Sequence, residues 1–276
     1  MGASLRRKED ARYLTGRGQF VGDIRRPGML EVAFVRAPVA HARIVSIHTP
    51  AGLERRVWVM DDLHGVKPVR AVSGLKGFKP SDLWPLARGK VRHVGEPVAM
   101  CIGSTRAEAE DAAAQVRVEY EELPAVVDMV QARTRPPALV HEDWGDNVFL
   151  ETLYDDELAE IRQTAPICVR KHIRTARQAM SPLEGRGVLC EWIERTGQLE
   201  MYSAAQMPHI NRAGLSECLG LDQASIRVIA PDVGGGFGYK GILLSEEICL
   251  AWLARHLKRP VRWLEDRREQ LTGNAN

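Results

Sequence analysis

The chain has 276 residues, of which 45% are hydrophobic and 27% charged, with 38 basic side chains against 36 acidic ones. That is ordinary composition for a folded protein long enough for two domains, and a net charge of +2 gives no reason to expect a nucleic-acid binder. No apolar run approaches the roughly eighteen residues of a membrane helix, and none follows the early basic residues Arg6, Arg7, Lys8, Arg12 and Arg17, so no export signal and a cytoplasmic location are expected. The five cysteines, Cys101, Cys168, Cys190, Cys218 and Cys249, form no C-x-x-C pair, which argues against zinc or an iron–sulfur cluster held by this chain alone.

In chain order, residues 28–48 alternate and are rich in Val, Ile and Phe, which predicts strands. Residues 57–60 predict a strand, followed at Asp61 and Asp62 by a turn or short helix. Residues 67–91 mix Pro, Gly, Lys and Trp without period and read as loop. Residues 97–102 predict a buried strand. Thr105-Arg-Ala-Glu108 is a capping box opening a helix over 106–116, and 117–120 returns as a strand. The strand–helix–strand unit predicts α+β or α/β packing. Prolines and polar residues over 131–148 mark a linker between units 1–130 and 149–276. Beyond it, strands are expected near 165–175, 186–194 and 197–204, and helices near 208–219 and 243–257.

The most informative stretch is Asp232-Val-Gly-Gly-Gly-Phe-Gly-Tyr-Lys240, between a strand-like run at 226–230 and the helix at 243–257. Glycine removes Cβ where a backbone must pass close to something or turn through φ > 0. Successive free N–H groups before a helix make a cradle for a phosphate, an oxyanion or a metal oxo group. Gly236-Phe-Gly238-Tyr-Lys-Gly241 also matches G-x-G-x-x-G, and a second strand at 261–264 ends at Glu265 and Asp266. That outlines a dinucleotide-binding unit and hence an NAD-dependent dehydrogenase. Against it stand Pro231, which ends a central strand, and the extra glycines at 234 and 235.

The loop closely resembles the molybdenum-cofactor loop of the xanthine dehydrogenase, aldehyde oxidase and aerobic carbon monoxide dehydrogenase family. Tyr202-Ser-Ala-Ala-Gln206-Met-Pro208-His209 resembles that family's strand ending in a glutamine beside the metal. Ser181-Pro-Leu-Glu184-Gly-Arg186-Gly187 and Val261-Arg-Trp-Leu-Glu-Asp266 resemble its flanking stretches. Thr15-Gly16-Arg-Gly18, the run from Met29 to Arg36, His41-Ala42, Val94-Gly95-Glu96-Pro97 and Val118 to Pro124 are similar to its α/β-hammerhead domain. The resemblance implies an α+β fold, with an α/β-hammerhead domain followed by the first part of a molybdopterin-binding domain.

It further implies a molybdenum hydroxylase subunit, acting on an aldehyde or N-heterocycle with water as the oxygen source. The cofactor implied is molybdopterin with molybdenum, in its cytosine dinucleotide form, with 2Fe–2S clusters and FAD on partner subunits. By resemblance Gln206 hydrogen-bonds an oxygen ligand of the metal, an amide donating without adding charge. Gly235, Gly236, Phe237 and Gly238 form the cradle, with Gln206 and Phe237 nearest the chemistry. Lys240 either pairs with phosphate or lies exposed at a helix start. Glu184 and Arg186 are candidates for an ion pair orienting the Gln206 strand, and Phe237 alone also reads as a core aromatic. His41 reads as structural, and His172 and His209 lack ligand spacing. No protein metal ligand is implied, since the family's pterin dithiolene holds the molybdenum.

The resemblance departs at two places. The sequence ends at Asn276, inside the family's molybdopterin-binding domain, so a second chain completing that domain, or a fragment, is expected. Purine-oxidising members carry a glutamate close after the loop lysine, where Gly241 stands here, so xanthine is not the expected substrate. A non-catalytic scaffold subunit is the remaining alternative.

Overall fold

In the computed structural model, residues 2–152, 158–176 and 178–273 are described. The chain opens with a short helix, α1 (Asp10–Leu14). Strands β1 (Leu30–Arg36) and β2 (Ala42–His48) divide the alternating run at a bend containing Pro38. Next come β3 (Val57–Val59), ending in a 3-10 turn at Met60–Asp62, and the two-residue strands β4 (Val69–Arg70), β5 (Asp82–Leu83) and β6 (Lys90–Val91). So the stretch expected as loop carries three short strands, β4 paired with β5 and β6 paired with β2. β7 (Pro97–Gly103), α2 (Arg106–Gln115) and β8 (Arg117–Glu122) follow as the strand–helix–strand unit. Thr105 caps α2 by accepting from Glu108 N, and the Glu108 carboxylate accepts from Ser104 N.

Helix α3 (Met129–Thr134) and a 3-10 turn at Glu142–Trp144 occupy parts of the stretch expected as linker, and α4 (Leu158–Thr164) comes after. Then β9 (Gly187–Ile193) and β10 (Gln198–Ser203) form a hairpin, followed by α5 (Pro208–Leu219) and β11 (Ile226–Ile229). The last elements are α6 (Ser245–Leu257), β12 (Val261–Leu264) and α7 (Arg267–Thr272).

The strand expected at 165–175 does not form. Ile167, Val169 and Ile173 are 80%, 73% and 82% exposed, and no strand lies alongside them. Alternation predicts a strand only where a neighbour supplies the ladder and a core receives one face.

A seven-stranded sheet in the order β11-β10-β9-β12-β1-β7-β3 takes strands from both sides of 131–148. A three-stranded sheet, β6-β2-β8, packs beside it. The join is a parallel pairing of β1 with β12, Leu30 opposite Val261. Helix α6 lays Ile248, Leu250 and Leu253, all fully buried, into a core with Phe34, Met100, Leu199 and Trp263. Burying each large apolar side chain contributes about 1.5–3 kcal/mol, so this core anchors the strand ends that carry the loop. Helix α2 approaches β7 so closely that a Cβ at Gly103 would lie 2.5 Å from Ala109 N.

The sheet order overturns the dinucleotide-binding reading. β11 and β12, the two strands that reading needs side by side, are separated by β10 and β9. The ligand crevice of a dinucleotide fold depends on parallel neighbours joined by the crossover helix, and that neighbourhood is absent.

Candidate cofactor site

The site is built where β10 and the 232–240 loop meet. Past the end of β10, the backbone N–H of Gln206 donates to the Lys240 carbonyl at 2.8 Å. The Gln206 side chain then turns onto the loop, its Oε1 accepting from Gly238 N at 3.0 Å and Lys240 N at 3.2 Å. Those two donors fix the amide orientation, with oxygen toward the loop and nitrogen away. Among the described residues, Gln206 Nε2 has no acceptor, and Gln206 is exposed. The amide therefore keeps two N–H donors free on a side chain already held by the loop.

Gly236 lies so close to Gln206 that a Cβ would stand 2.5 Å from Gln206 Cδ and 2.6 Å from Oε1. Gly235 has φ +101°, a region that side chains rarely adopt. Phe237 has φ 57°, left-handed for a bulky residue, and is 72% exposed, so it is not a core aromatic. Such conformations persist where surrounding contacts over-determine them. Among the described residues, the N–H groups of Gly235, Gly236 and Phe237 meet no acceptor, whereas Gly238 N is taken up by Gln206. A run of three free amides beside a free carboxamide is suited to oxygen ligands and anions.

Beneath the loop the charges pair differently from expectation. Glu184 and Arg186 do not pair with each other. Glu184 Oε2 accepts from Gly234 N at 2.7 Å and from Lys240 Nζ at 3.0 Å. Lys240 is thus neither exposed nor free for phosphate; it is 3% exposed, and burial pushes its ammonium below the ordinary value against the pull of Glu184. Arg186 faces the other way, donating to Glu246 at 2.7 Å and to Glu265 at 2.8 Å. Glu265 also accepts from the Tyr239 hydroxyl at 2.5 Å. Glu265, which closes the dinucleotide-like pattern, is therefore committed to Arg186 and Tyr239, with its side chain 0% exposed. Arg36 extends the network to Glu246 and Glu269, each at 2.9 Å. His41 is buried, its Nδ1 2.8 Å from the Pro124 carbonyl, as a structural histidine should be; His172 and His209 are exposed.

Two adjacent glutamates in the first turn of α6 titrate in opposite directions. Burial alone would raise Glu246, but Arg186 and Arg36 overcome it and hold the carboxyl at about 2. Glu247, farther from compensation, is pushed by burial up to about 7, while it accepts from Leu244 N at 3.1 Å. A glutamate that ionises near 4.5 when unfolded but near 7 when folded stabilises the fold only at low pH. That stability declines as pH rises from 4.5 and is gone above about 7. At about 1.4 kcal/mol per unit, the loss is on the order of 3 kcal/mol. Glu247→Gln keeps the acceptor and removes the charge, so the variant should be more stable by about 1–3 kcal/mol above pH 8 and indistinguishable below pH 4. Urea unfolding at the two pH values checks this.

With this geometry in hand, comparisons with known proteins become specific. A family model for the aldehyde oxidase and xanthine dehydrogenase a/b hammerhead domain matches residues 15–124, and one for the molybdopterin cofactor-binding domain matches 140–276. The chain belongs to the aldehyde oxidase and xanthine dehydrogenase family. Within that family it is 36% identical to the nicotine 6-hydroxylase large subunit of Paenarthrobacter nicotinovorans, over 100% of this chain and 34% of the relative. It is 33% identical to a carbon monoxide dehydrogenase large chain of Hydrogenophaga pseudoflava, over 97% of this chain and 35% of the relative. The crystal structure of quinoline 2-oxidoreductase from Pseudomonas putida 86 superposes with a TM-score of 0.93 at 40% identity, covering 99% of this chain and 35% of that one. The chain thus spans about a third of the length of the curated relatives it matches. Family membership bears out the α+β hammerhead architecture and the molybdopterin-binding assignment read from the sequence.

Two features escaped the sequence reading: the hold on Asp232 by the amino-terminal segment, and the Arg186 network. A charged pair, Glu246-Glu247, opening an otherwise apolar helical run was the available signal for the second.

Proposed function

We propose that this chain is the amino-terminal part of the catalytic large subunit of a molybdenum hydroxylase. The enzyme hydroxylates a C–H bond of an aldehyde or N-heterocycle with water as the oxygen source. The observation that carries the reading is the Gln206 carboxamide, locked by Gly238 N and Lys240 N with Nε2 left to donate beside three unpaired loop amides.

Molybdopterin with molybdenum fits these donors, and this reading takes it in the cytosine dinucleotide form. When bound, it supplies the two-electron oxidation and the oxygen transfer. Gln206 Nε2 would donate to an oxygen ligand of the cofactor. The N–H groups of Gly235, Gly236 and Phe237 would line the cradle, and Gly236, having no Cβ, leaves room for the Gln206 carboxamide to lie against the loop. Gly238 contributes by holding Gln206 in place. Substrate, a 2Fe–2S subunit, an FAD subunit and the chain region completing the molybdopterin-binding domain are the partners of this reading. So is the division into a hammerhead unit at 1–130, a linker at 131–148 and a partial molybdopterin-binding unit at 149–276. A cytoplasmic setting accords with five cysteines that form no disulfide.

The test is elemental analysis of the chain purified from its host with whatever stays bound. Near-stoichiometric molybdenum, with iron alongside, is expected. Gln206→Ala should lower turnover by about 100-fold in a complex that still assembles, the usual effect of removing one preorganised donor. An active complex without molybdenum overturns the cofactor assignment. Unchanged turnover in Gln206→Ala makes the chain a scaffold.

A further inference from the structure

The Asp232 carboxylate, at the start of the loop, is saturated by donors from the far end of the chain. Arg12 approaches it with both terminal nitrogens, at 2.5 and 2.6 Å. The Tyr13 hydroxyl donates at 2.9 Å and the backbone N–H of Gln19 at 2.7 Å. Asp232 N returns a bond to the Gln19 carbonyl at 3.0 Å. The Asp232 side chain is 8% exposed and that of Arg12 41%.

Helix α1, which carries Arg12 and Tyr13, has no buried residue. Apolar packing therefore does not hold this segment against the sheet; the carboxylate does. Of the loop's other anchors, Gln206 holds Gly238 and Lys240, while Glu184 holds Gly234 and Lys240. Only Asp232 ties the loop to a segment from outside 184–265 among these bonds.

We propose that residues 12–19 form a strap that fixes the cofactor loop at its first residue, with Arg12 and Tyr13 as positioning residues acting through Asp232. The inference rests on the reading of 232–240 as the cofactor loop. A bidentate guanidinium defines the carboxylate plane as well as its position, so the strap sets the direction in which the chain enters Val233 and the glycines. Because Arg12 is partly exposed, its grip is sensitive to ionic strength.

The experiment compares wild type, Arg12→Gln, Arg12→Lys and Tyr13→Phe, each purified with its bound partners. Hydrogen exchange is read at the hydrogen-bonded loop amides of Gly234, Gly238 and Lys240, and molybdenum retained per chain is measured after prolonged dialysis. Arg12→Gln is expected to speed exchange at these amides by at least about ten-fold, with the β9 and β10 amides unchanged, and to lose molybdenum several-fold faster. Arg12→Lys should fall between, because one ammonium cannot make the paired contact. Salt raised from about 0.05 to about 0.5 M should move wild type toward Arg12→Gln and leave that variant nearly unmoved. Unchanged exchange at the Gly234, Gly238 and Lys240 amides in Arg12→Gln overturns the strap, as does exchange that quickens equally through the sheet. If Arg12→Gln fails to fold, Tyr13→Phe, which removes one donor of four, must still speed loop exchange about two-fold or the proposal falls. Wild type lacking molybdenum refutes the cofactor reading, while the exchange data decide the strap separately.

Discussion

Gly236→Val is expected to empty the cofactor site without unfolding the chain. The new Cβ would stand 2.5 Å from Gln206 Cδ and 2.6 Å from Oε1. Both atoms belong to the far end of an exposed side chain, so the clash resolves by Gln206 breaking its two bonds to the loop and swinging out and not by the sheet moving. The hydrogen bonds from Gly238 N and Lys240 N are lost, Nε2 leaves its place, and two further methyl groups enter the concave side of the loop. Molybdenum per chain should fall at least about ten-fold, while far-ultraviolet circular dichroism and complex assembly stay as in wild type, since a near-surface change leaves the core contacts intact. Wild-type molybdenum in this variant would show that the loop is not the cradle.

Arg186→Met should have the largest effect on stability. It strands Glu265, whose side chain is 0% exposed, leaves the Tyr239 hydroxyl bonded to an unneutralised carboxylate, and leaves the buried Glu246 with Arg36 as its remaining cation. Removing one partner of a buried ion network costs about 3–5 kcal/mol, because the desolvated charges that remain find no water. That corresponds to a fall in Tm on the order of 10 °C for a chain of this length. The sign of the pH dependence follows from Glu246. Held at about 2 in wild type against 4.5 unfolded, it stabilises the fold fully above 4.5 and loses that contribution as pH falls toward 2. Without Arg186 only Arg36 remains to hold Glu246 ionised, so the deficit of the variant should be greatest at neutral pH and narrow below 4.5. Differential scanning calorimetry across pH 3.5–8 checks both points, and a deficit that widens in acid would show that Arg186 does not act through these carboxylates.

What could be read from the sequence was local. Thr105 and Glu108 sit three apart, and the N-cap half of the predicted box forms, Thr105 accepting from Glu108 N, while the Glu108 carboxylate reaches past Thr105 to Ser104 N. The loop, its preceding strand and its following helix also lie within one short window. The Arg186 network was not legible, because its members are brought together only by the sheet. Arg186 and Glu246 are 60 residues apart, and Arg36 and Glu246 are 210 apart. For the same reason the pairing of neighbours Glu184 and Arg186 was misread: Gly185 and the entry into β9 turn them toward different partners. Residues 165–175 failed in the opposite sense, carrying a strand-like pattern without a neighbouring strand. The dinucleotide pattern matched residue for residue, and only the two strands lying between β11 and β12 revealed it as coincidence.

The parallel pairing of β1 with β12 bears on how the protein is made. Glu31 and Arg262, opposite each other in that ladder, are 231 residues apart. At about 5–20 residues per second, a ribosome takes roughly 10–50 s to deliver the second strand after the first. Until then β1 can pair in the sheet only with β7, once that strand is made, and its other edge at Leu30 and Glu31 awaits β12. High contact order of this kind slows folding and leaves an unpaired edge open to the wrong neighbour. Nascent chains released before residue 264 should therefore be the ones that chaperones retain, and the 232–240 loop cannot settle over its ion network until the strand leading into Glu265 has docked.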